Sequence, residues 1–538
     1  MHTRLISKLG FVLMSALALA GPALAAPPAQ SPAAGPADWT ILVVGLTFLL
    51  PIGLILLSVA AFAEERAVAA TTGALVAWGL ASLAYFAAGF AFQFGGIAVF
   101  HDAPDLAGLY WEYSLLDITW GPGWGMIGLR GFLLLGEAST PGALALVLSQ
   151  LPLLGVATLI LYFALQGRAR RWAALLASLL MGGLIYPILG NWTWAGGWLA
   201  NLGRNLAQGH GLVDAGGSGQ VALAGASAAL AALLVFRGRS ASTNAQAAPA
   251  VDAGSGAMGA TDLPDEPGVA PVVGTTPMPP AHFPLLGLLG ASLMVVGWMG
   301  AAFMAHLPIA IDLSPAPMAV NLALCALGGT LTAGLYSWFT TSRLHPLMAA
   351  RGLAAGLVVA AAGAPFIPAW SALAAGLLVG LLLPPLIFLF DRVLRLEDTV
   401  GALAAFGLPA LLGLLLPGLV ADGRYGVGWN GIGAESFLGV AGQGVSGWLV
   451  APGFAANWPG QLYAQLIGAA AMFTWSFGLS WLLLRGLAGL IHAWERSGLE
   501  FGAPPQPVAL DDEAPPSQDE AFVMQGRALE PGGEEVPG

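Results

Sequence analysis

The residues of this chain equipped for proton transfer, metal binding or nucleophilic attack are few and thinly spread. Its seven histidines are His2, His101, His210, His282, His306, His345 and His492, and none falls in the middle of the apolar runs near 217–236 and 400–421. Cys325 is the only cysteine, which leaves no internal disulfide and no thiolate cluster. No nucleotide-binding motif, no metal-ligand cluster and no catalytic triad is legible, so neither an enzyme nor a bound cofactor or metal is expected. The most informative passage is YPILGNWTWAGGWLANLG…GLVDAGGSGQVALAGAS, from Tyr186 to Ser227, an aromatic-glycine stretch running into a small-residue helix. Asp214 stands just before that helix. A carboxylate there caps free amides and meets the positive end of the helix dipole. Its first reading is this structural one, with direct contact to a cation as the alternative.

The elements that must position these residues are membrane helices. Of 538 residues, 57% are hydrophobic and only 9% charged, against about 25% charged in soluble domains. The apolar blocks run to about 20 residues, the length a helix needs to cross the bilayer core and twice that of a membrane β-strand. The 75 glycines, with abundant alanine, allow close helix contacts. An all-α integral membrane protein follows, embedded in lipid. About eleven transmembrane helices are expected, near 40–63, 68–92, 142–167, 171–190, 217–236, 284–306, 316–340, 351–366, 369–391, 400–421 and 461–490.

Residues 1–25 have a basic start (Arg4, Lys8), an apolar core and Ala23-Leu24-Ala25, the layout of a signal peptide, with an uncleaved first helix as the alternative. With the following N-terminus outside, the inner loops hold Arg66; Arg168, Arg170 and Arg171; Arg237 and Arg239; Arg343 and Arg351; and Arg392 and Arg395. The outer loops hold only Arg130, Arg204 and Arg424. That excess is the positive-inside pattern and puts the C-terminus in the cytoplasm of a bacterial-type inner membrane. The division is a first membrane half at 40–236, a disordered cytoplasmic linker at 237–283, a second half at 284–495 and a disordered acidic tail at 496–538. The net charge of −11 says little about partners, because acid collects in that tail, and a single lysine argues against nucleic acid. The outer loops 93–140 and 422–460 carry Tyr110, Trp111, Tyr113, Trp120, Trp124, Trp429, Trp448 and Trp458. They read equally as a vestibule and as an interfacial aromatic belt.

Taken in order, six motifs resemble the ammonium transporter (Amt/MEP/Rh) family. The W-x-G-G-W and D-A-G-G passages come first, followed by Gly297-Trp298-Met299-Gly300. AAGLVVAAAGAPFIP at 354–368, Glu397-Asp398, and Gly407, Gly413 and Gly418 complete the set. The resemblance implies two inverted five-helix halves, a long last helix, a central pore in each subunit and a homotrimer. It also implies the pore residues. The family's two mid-pore histidines fall at Val221 and Phe406, so the pair is absent. Of F-Q-G-S-F in the third helix only Gln150 is kept, between Ser149 and Leu151. In the sixth helix the gate aromatic falls at Ala301, with Phe303 nearby, and the recruiting tryptophan is kept at Trp194.

Trp194, Phe303, Gln150 and Trp298 are therefore the candidate solute contacts, and Asp214 sits one residue later than its family counterpart. Trp194 has a packing reading beside the binding one, since one aromatic face contributes only about 0.5–2 kcal/mol to a cation. The resemblance implies transport of ammonium or ammonia, and the apolar substitutions make it passive rather than proton-coupled. A pore for another small neutral solute, and a non-conducting sensor or structural protein, are the alternatives. The family's tail pattern is distorted in Ser497-Gly498-Leu499-Glu500, which leaves a cytosolic regulator open.

Overall fold

The computed structural model describes residues 37–237, 281–304, 313 and 315–497. The expected signal peptide, most of the linker and most of the tail lie outside the described residues, as does the side chain of Phe303. Ten described helices are long and apolar enough to cross a membrane. They are α1 (Leu42–Val59), α2 (Glu64–Val99), α3 (Pro141–Ala164), α4 (Arg171–Thr193), α5 (Ser218–Val235), α6 (Pro284–Ala301), α7 (Pro315–Thr341), α9 (Ala369–Val393), α10 (Ala402–Val420) and α11 (Gly460–Ile491). Between α7 and α9 lies the shorter α8 (Pro346–Ala361). The described residues up to Arg485 belong to one compact unit, and those from Gly486 to Ser497 are grouped apart from it.

Leucines face outward along these helices, among them Leu83, Leu327, Leu381 and Leu482, each more than half exposed, as lipid-facing surfaces require. Inward, small residues let backbones meet. A Cβ on Gly53 of α1 would lie 2.4 Å from the Gly290 carbonyl of α6, so only glycine fits that crossing.

The eleven expected helices are all present, and one boundary carries a correction. Arg351, expected in a loop, lies inside α8 with 2% of its surface exposed. The helix begins earlier because Pro346 occupies its first position and His345 caps it, Nδ1 accepting from the Met348 amide at 3.4 Å.

The two halves share one local device in opposite orientation. α5 begins with a π-helical turn, Ser218–Leu223, entered through Gly217 at φ +85°; α10 begins with Ala402–Gly407, entered through Gly401 at φ +77°. Three positions before each glycine stands an aspartate. Asp214 Oδ2 accepts from the amides of Gly219 (3.0 Å) and Gln220 (2.9 Å). Asp398 accepts from Ala402 (2.7 Å), Leu403 (2.8 Å) and Ala404 (3.3 Å). A wide turn in an otherwise α-helical span is often found at functional sites, and here each half has one.

Connections gather at two ends of the bundle. At one, the 93–140, 195–217 and 421–459 segments knit together: Trp198 donates its amide to Gly125, Asn430 its side chain to His210 and Leu212, and Gln461 its side chain to Gly211. Short antiparallel hairpins, Glu112–Tyr113 with Ile127–Gly128 and Ser436–Phe437 with Val440–Ala441, stiffen it. The loop tryptophans divide: Trp111, Trp120, Trp448 and Trp458 are exposed, while Trp124 and Trp429 are buried. Trp429 meets Phe366 edge-on at 5.1 Å in a cluster with Val213, Ala215 and Val445, which covers the turn before α5. At the other, arginine-rich end, Arg168 donates to the Leu396 and Glu397 carbonyls, and Arg237 to that of Leu394.

Candidate functional site

The site grows from the turn at 214–218. Asp214 is buried (2% exposed) and accepts from two amides at the start of α5; its Oδ1 has no hydrogen-bond partner. The turn is tied to the far end of α8. The amides of Ala215 and Gly216 donate to the carbonyls of Ala362 (3.1 Å) and Ala361 (2.8 Å). Ser218 Oγ donates to Val358 (2.7 Å) and accepts from the Ala362 amide (2.8 Å). These contacts satisfy backbone groups of the crossing, as a buried junction in lipid requires, and leave Asp214 Oδ1 as the exception.

Two candidate tryptophans converge here. Trp194, just past α4, donates its indole N–H to the Asp214 carbonyl at 2.7 Å, and Trp298 of α6 donates to the Gly216 carbonyl at 3.1 Å. Both rings are buried, at 9% and 0% exposure. A Cβ on Gly217 would lie 2.5 Å from Val221 Cγ2 and 3.4 Å from Trp194 Cη2, so Trp194, Val221 and Asp214 form one neighbourhood. Val221 is fully buried and Phe406, in the matching turn of α10, is 2% exposed.

Gln150 is not part of that neighbourhood. Its Oε1 accepts from Tyr186 Oη (2.8 Å) and Gln93 Nε2 (3.1 Å), and its Nε2 donates to Ser149 Oγ (3.3 Å). Gln93 also accepts from Tyr85 Oη (2.8 Å) and, through its carbonyl, from Asn191 Nδ2 (3.1 Å). Thr193 Oγ1 donates to Gln220 Oε1 at 2.9 Å. A buried, uncharged network thus joins α2, α3 and α4, with Thr193 and Gln220 extending hydrogen bonding to α5. The network is not fully satisfied, since Gln220 Nε2 and Asn191 Oδ1 have no hydrogen-bond partner, and such atoms are the costly members of a buried network. Sequence reasoning singled out Gln150 alone; the signal for the others was each polar residue set in an apolar run, such as Gln93 in AFQF.

Two charged residues also went unnoticed as site features. Arg351 is one. Glu112 is the other: it lies in the hairpin of the loop-rich end, against Gly96 and Gly125, and its Oε2 has no hydrogen-bond partner. Burial, and then the neighbouring Asp117, push its carboxyl up to about 7. Among the described residues no group of three histidine, cysteine or carboxylate side chains could hold a metal ion.

Residues 38–260 and 273–494 match the family model described as the Ammonium Transporter Family. Ammonium transporter Amt2 of Archaeoglobus fulgidus is 27% identical over 419 residues, spanning 76% of this chain and 74% of that protein. Among solved structures, a sensor Amt protein superposes with a TM-score of 0.61 at 21% identity, over 84% of this chain and 93% of that one. Mep2 of Candida albicans gives 0.60 at 19% identity, over 85% and 84%. These structures share the fold of paired halves seen here. With the family match running through both halves, the chain belongs to the ammonium transporter family.

Proposed function

We propose that this protein transports ammonium across a membrane by passing neutral ammonia through a path between α5, α8 and α10 of each subunit. Passage is passive and not coupled to a proton. The observation that carries this reading is the pair of wide turns in α5 and α10. The positions matching the family's titratable pair are Val221 and Phe406, both buried hydrocarbon. A proton relay needs a group that titrates near neutrality, and an ion in hydrocarbon needs a counter-charge or water. Neither Val221 nor Phe406 supplies one. Asp214 and the rings of Trp194 and Trp298 stand at the loop-rich approach, where a cation can be gathered before it sheds its proton. Phe303 is proposed as a further aromatic on the same approach.

The arginine-rich end is assigned to the cytoplasm and the loop-rich end to the outside, in keeping with the positive-inside pattern. The assembly is taken as a homotrimer in a bacterial-type inner membrane. An ammonium jump on proteoliposomes, with charge movement and internal pH recorded together, tests the reading. Internal alkalinisation without current is expected. Neither signal from an intact assembly would sink it in favour of another neutral solute or a non-conducting role, in which Phe406 plugs the path.

A further inference from the structure

We propose that His210 is a proton-released latch: its neutral ring holds the 436–441 hairpin over the loop-rich approach, and acid on that side lets the hairpin go. The inference goes beyond the transport reading, because it concerns when the approach is covered and not what passes through it.

The latch is built where two segments meet outside the spans. His210 lies between α4 and α5, and its backbone is held from both sides. Its amide donates to Gln461 Oε1 at 2.9 Å, at the start of α11, and its carbonyl accepts from Asn430 Nδ2 at 2.8 Å. The side chain is fully buried, and its ring packs on that of Phe437, with centroids 4.3 Å apart and planes at 52°. Phe437 belongs to the hairpin of Ser436–Phe437 with Val440–Ala441. A few residues earlier, Asn430 also donates to the Leu212 carbonyl at 3.1 Å, and Trp429 packs with Val213 and Ala215 over the turn before α5. These contacts together fasten one stretch of chain, 429–441, onto 210–215.

Both ring nitrogens, Nδ1 and Nε2, are buried without a hydrogen-bond partner. A neutral imidazole has one donor and one acceptor, so a phenylalanine would make the same contact and leave nothing unmet. What phenylalanine cannot do is take up a proton. Among the described residues, the segments packed here offer the protonated ring no partner. Gln461, Asn457 and Asn430 are uncharged. Asp422 stands 3.6 Å from Arg424, Tyr425 packs against the Val213 cluster, and Glu435 is exposed. Arg204 is turned to Gly431, where a Cβ would lie 2.9 Å from its Nη2. Burial pushes the imidazole down from an ordinary 6.5 to about 4.

The packed state therefore binds its proton more weakly than the released one. The contact holds fully above about pH 6.5 and weakens as pH falls toward 4. Once released, the ring titrates in water at its ordinary value. The ratio of released to packed hairpin should then rise about tenfold by pH 5.5 and approach about a hundredfold by pH 4.5.

Hydrogen exchange of the full-length protein in nanodiscs, read by mass spectrometry from about pH 7.5 to 4.5, tests the latch. Rates are corrected for the intrinsic pH dependence of exchange. The reporters are peptides covering 435–442 and 210–213, in which the Gly442 amide donates to Glu435 and the Val213 amide to Gln465 Oε1; α8 is the reference. Wild type is expected to lose protection in both reporters by these factors, with α8 unchanged, and His210→Phe to keep it at every pH. Where that variant does not fold, the wild-type profile decides alone. Flat protection in wild type overturns the proposal, since a ring bonded to water would titrate alike in both states. An equal loss in His210→Phe, or a loss shared by α8, overturns it by assigning the effect to another group or to global unfolding. Loss at 435–442 with 210–213 still protected overturns the hairpin's role as a cover.

Discussion

At the scale of single residues, the same amino acid does different work according to what surrounds it. Asp214 and Asp398 both cap a wide turn, yet Asp214 has indole N–H groups as its neighbours in the turn, whereas Asp398 lies within electrostatic reach of Arg351. If Asp214 acts only as a cap, Asp214→Asn keeps an acceptor for the amides and should cost under about 1 kcal/mol. Asp214→Ala strips two buried amides and should cost about 2 kcal/mol or more. Thermal melts in detergent check the order, and ammonia flux retained in the asparagine variant would exclude a direct cation ligand. Glu112 gives a pH prediction. Its folded carboxyl is raised from an ordinary 4.5 to about 7, chiefly by burial, so the folded state holds the proton more tightly than the unfolded one. Wild type should lose stability as pH rises from about 4.5 through 7, by no more than about 3 kcal/mol. Glu112→Gln should abolish that slope and melt higher than wild type at pH 8; an unchanged slope would mean the carboxylate is solvated after all.

At the scale of elements, the wide turns of α5 and α10 make a sharper prediction than any helix boundary. Gly217→Ala combines a left-handed φ with a Cβ 2.5 Å from Val221, whereas Gly401→Ala meets nothing nearer than 3.5 Å. The second should cost about 1 kcal/mol, for the conformation alone, and the first clearly more. Equal melting temperatures for the two variants would show that the turn around Val221 relaxes freely.

These turns also mark how far the sequence could be read. The helices were legible because apolar length is a local property, and Asp214 was legible as a cap because an acid just ahead of a helix has one evident use. The partners of Gln150 were not, since Gln93 lies 57 positions away and Tyr186 36. Nothing local sets which polar side chains meet across helices. Arg351 was misplaced for a related reason: an arginine near the end of an apolar run reads as a loop cation, and only the packing of α10 against α8 shows it enclosed. Trp194 and Trp298 were identified as a solute surface, and their indole N–H groups are spent on the 214–216 turn. Trp298→Phe should therefore cost about 1 kcal/mol of stability through the lost bond to Gly216, whatever it does to flux.

At the scale of the molecule, two halves of like construction meet in opposite directions, and α5 and α10 bring their capped N-termini in from opposite ends. Helix dipoles so arranged oppose one another and leave little net axial field. The halves are alike in backbone and unlike in charge. One capping aspartate has a spare oxygen and the rings of Trp194 and Trp298 beside it; the other shares its turn with a guanidinium. On the proposed passive reading, a symmetrical backbone with hydrocarbon at its centre, Val221 and Phe406, is a two-way door for the neutral molecule and closed to charge. Net flow should follow the ammonia gradient in either direction and ignore the membrane voltage.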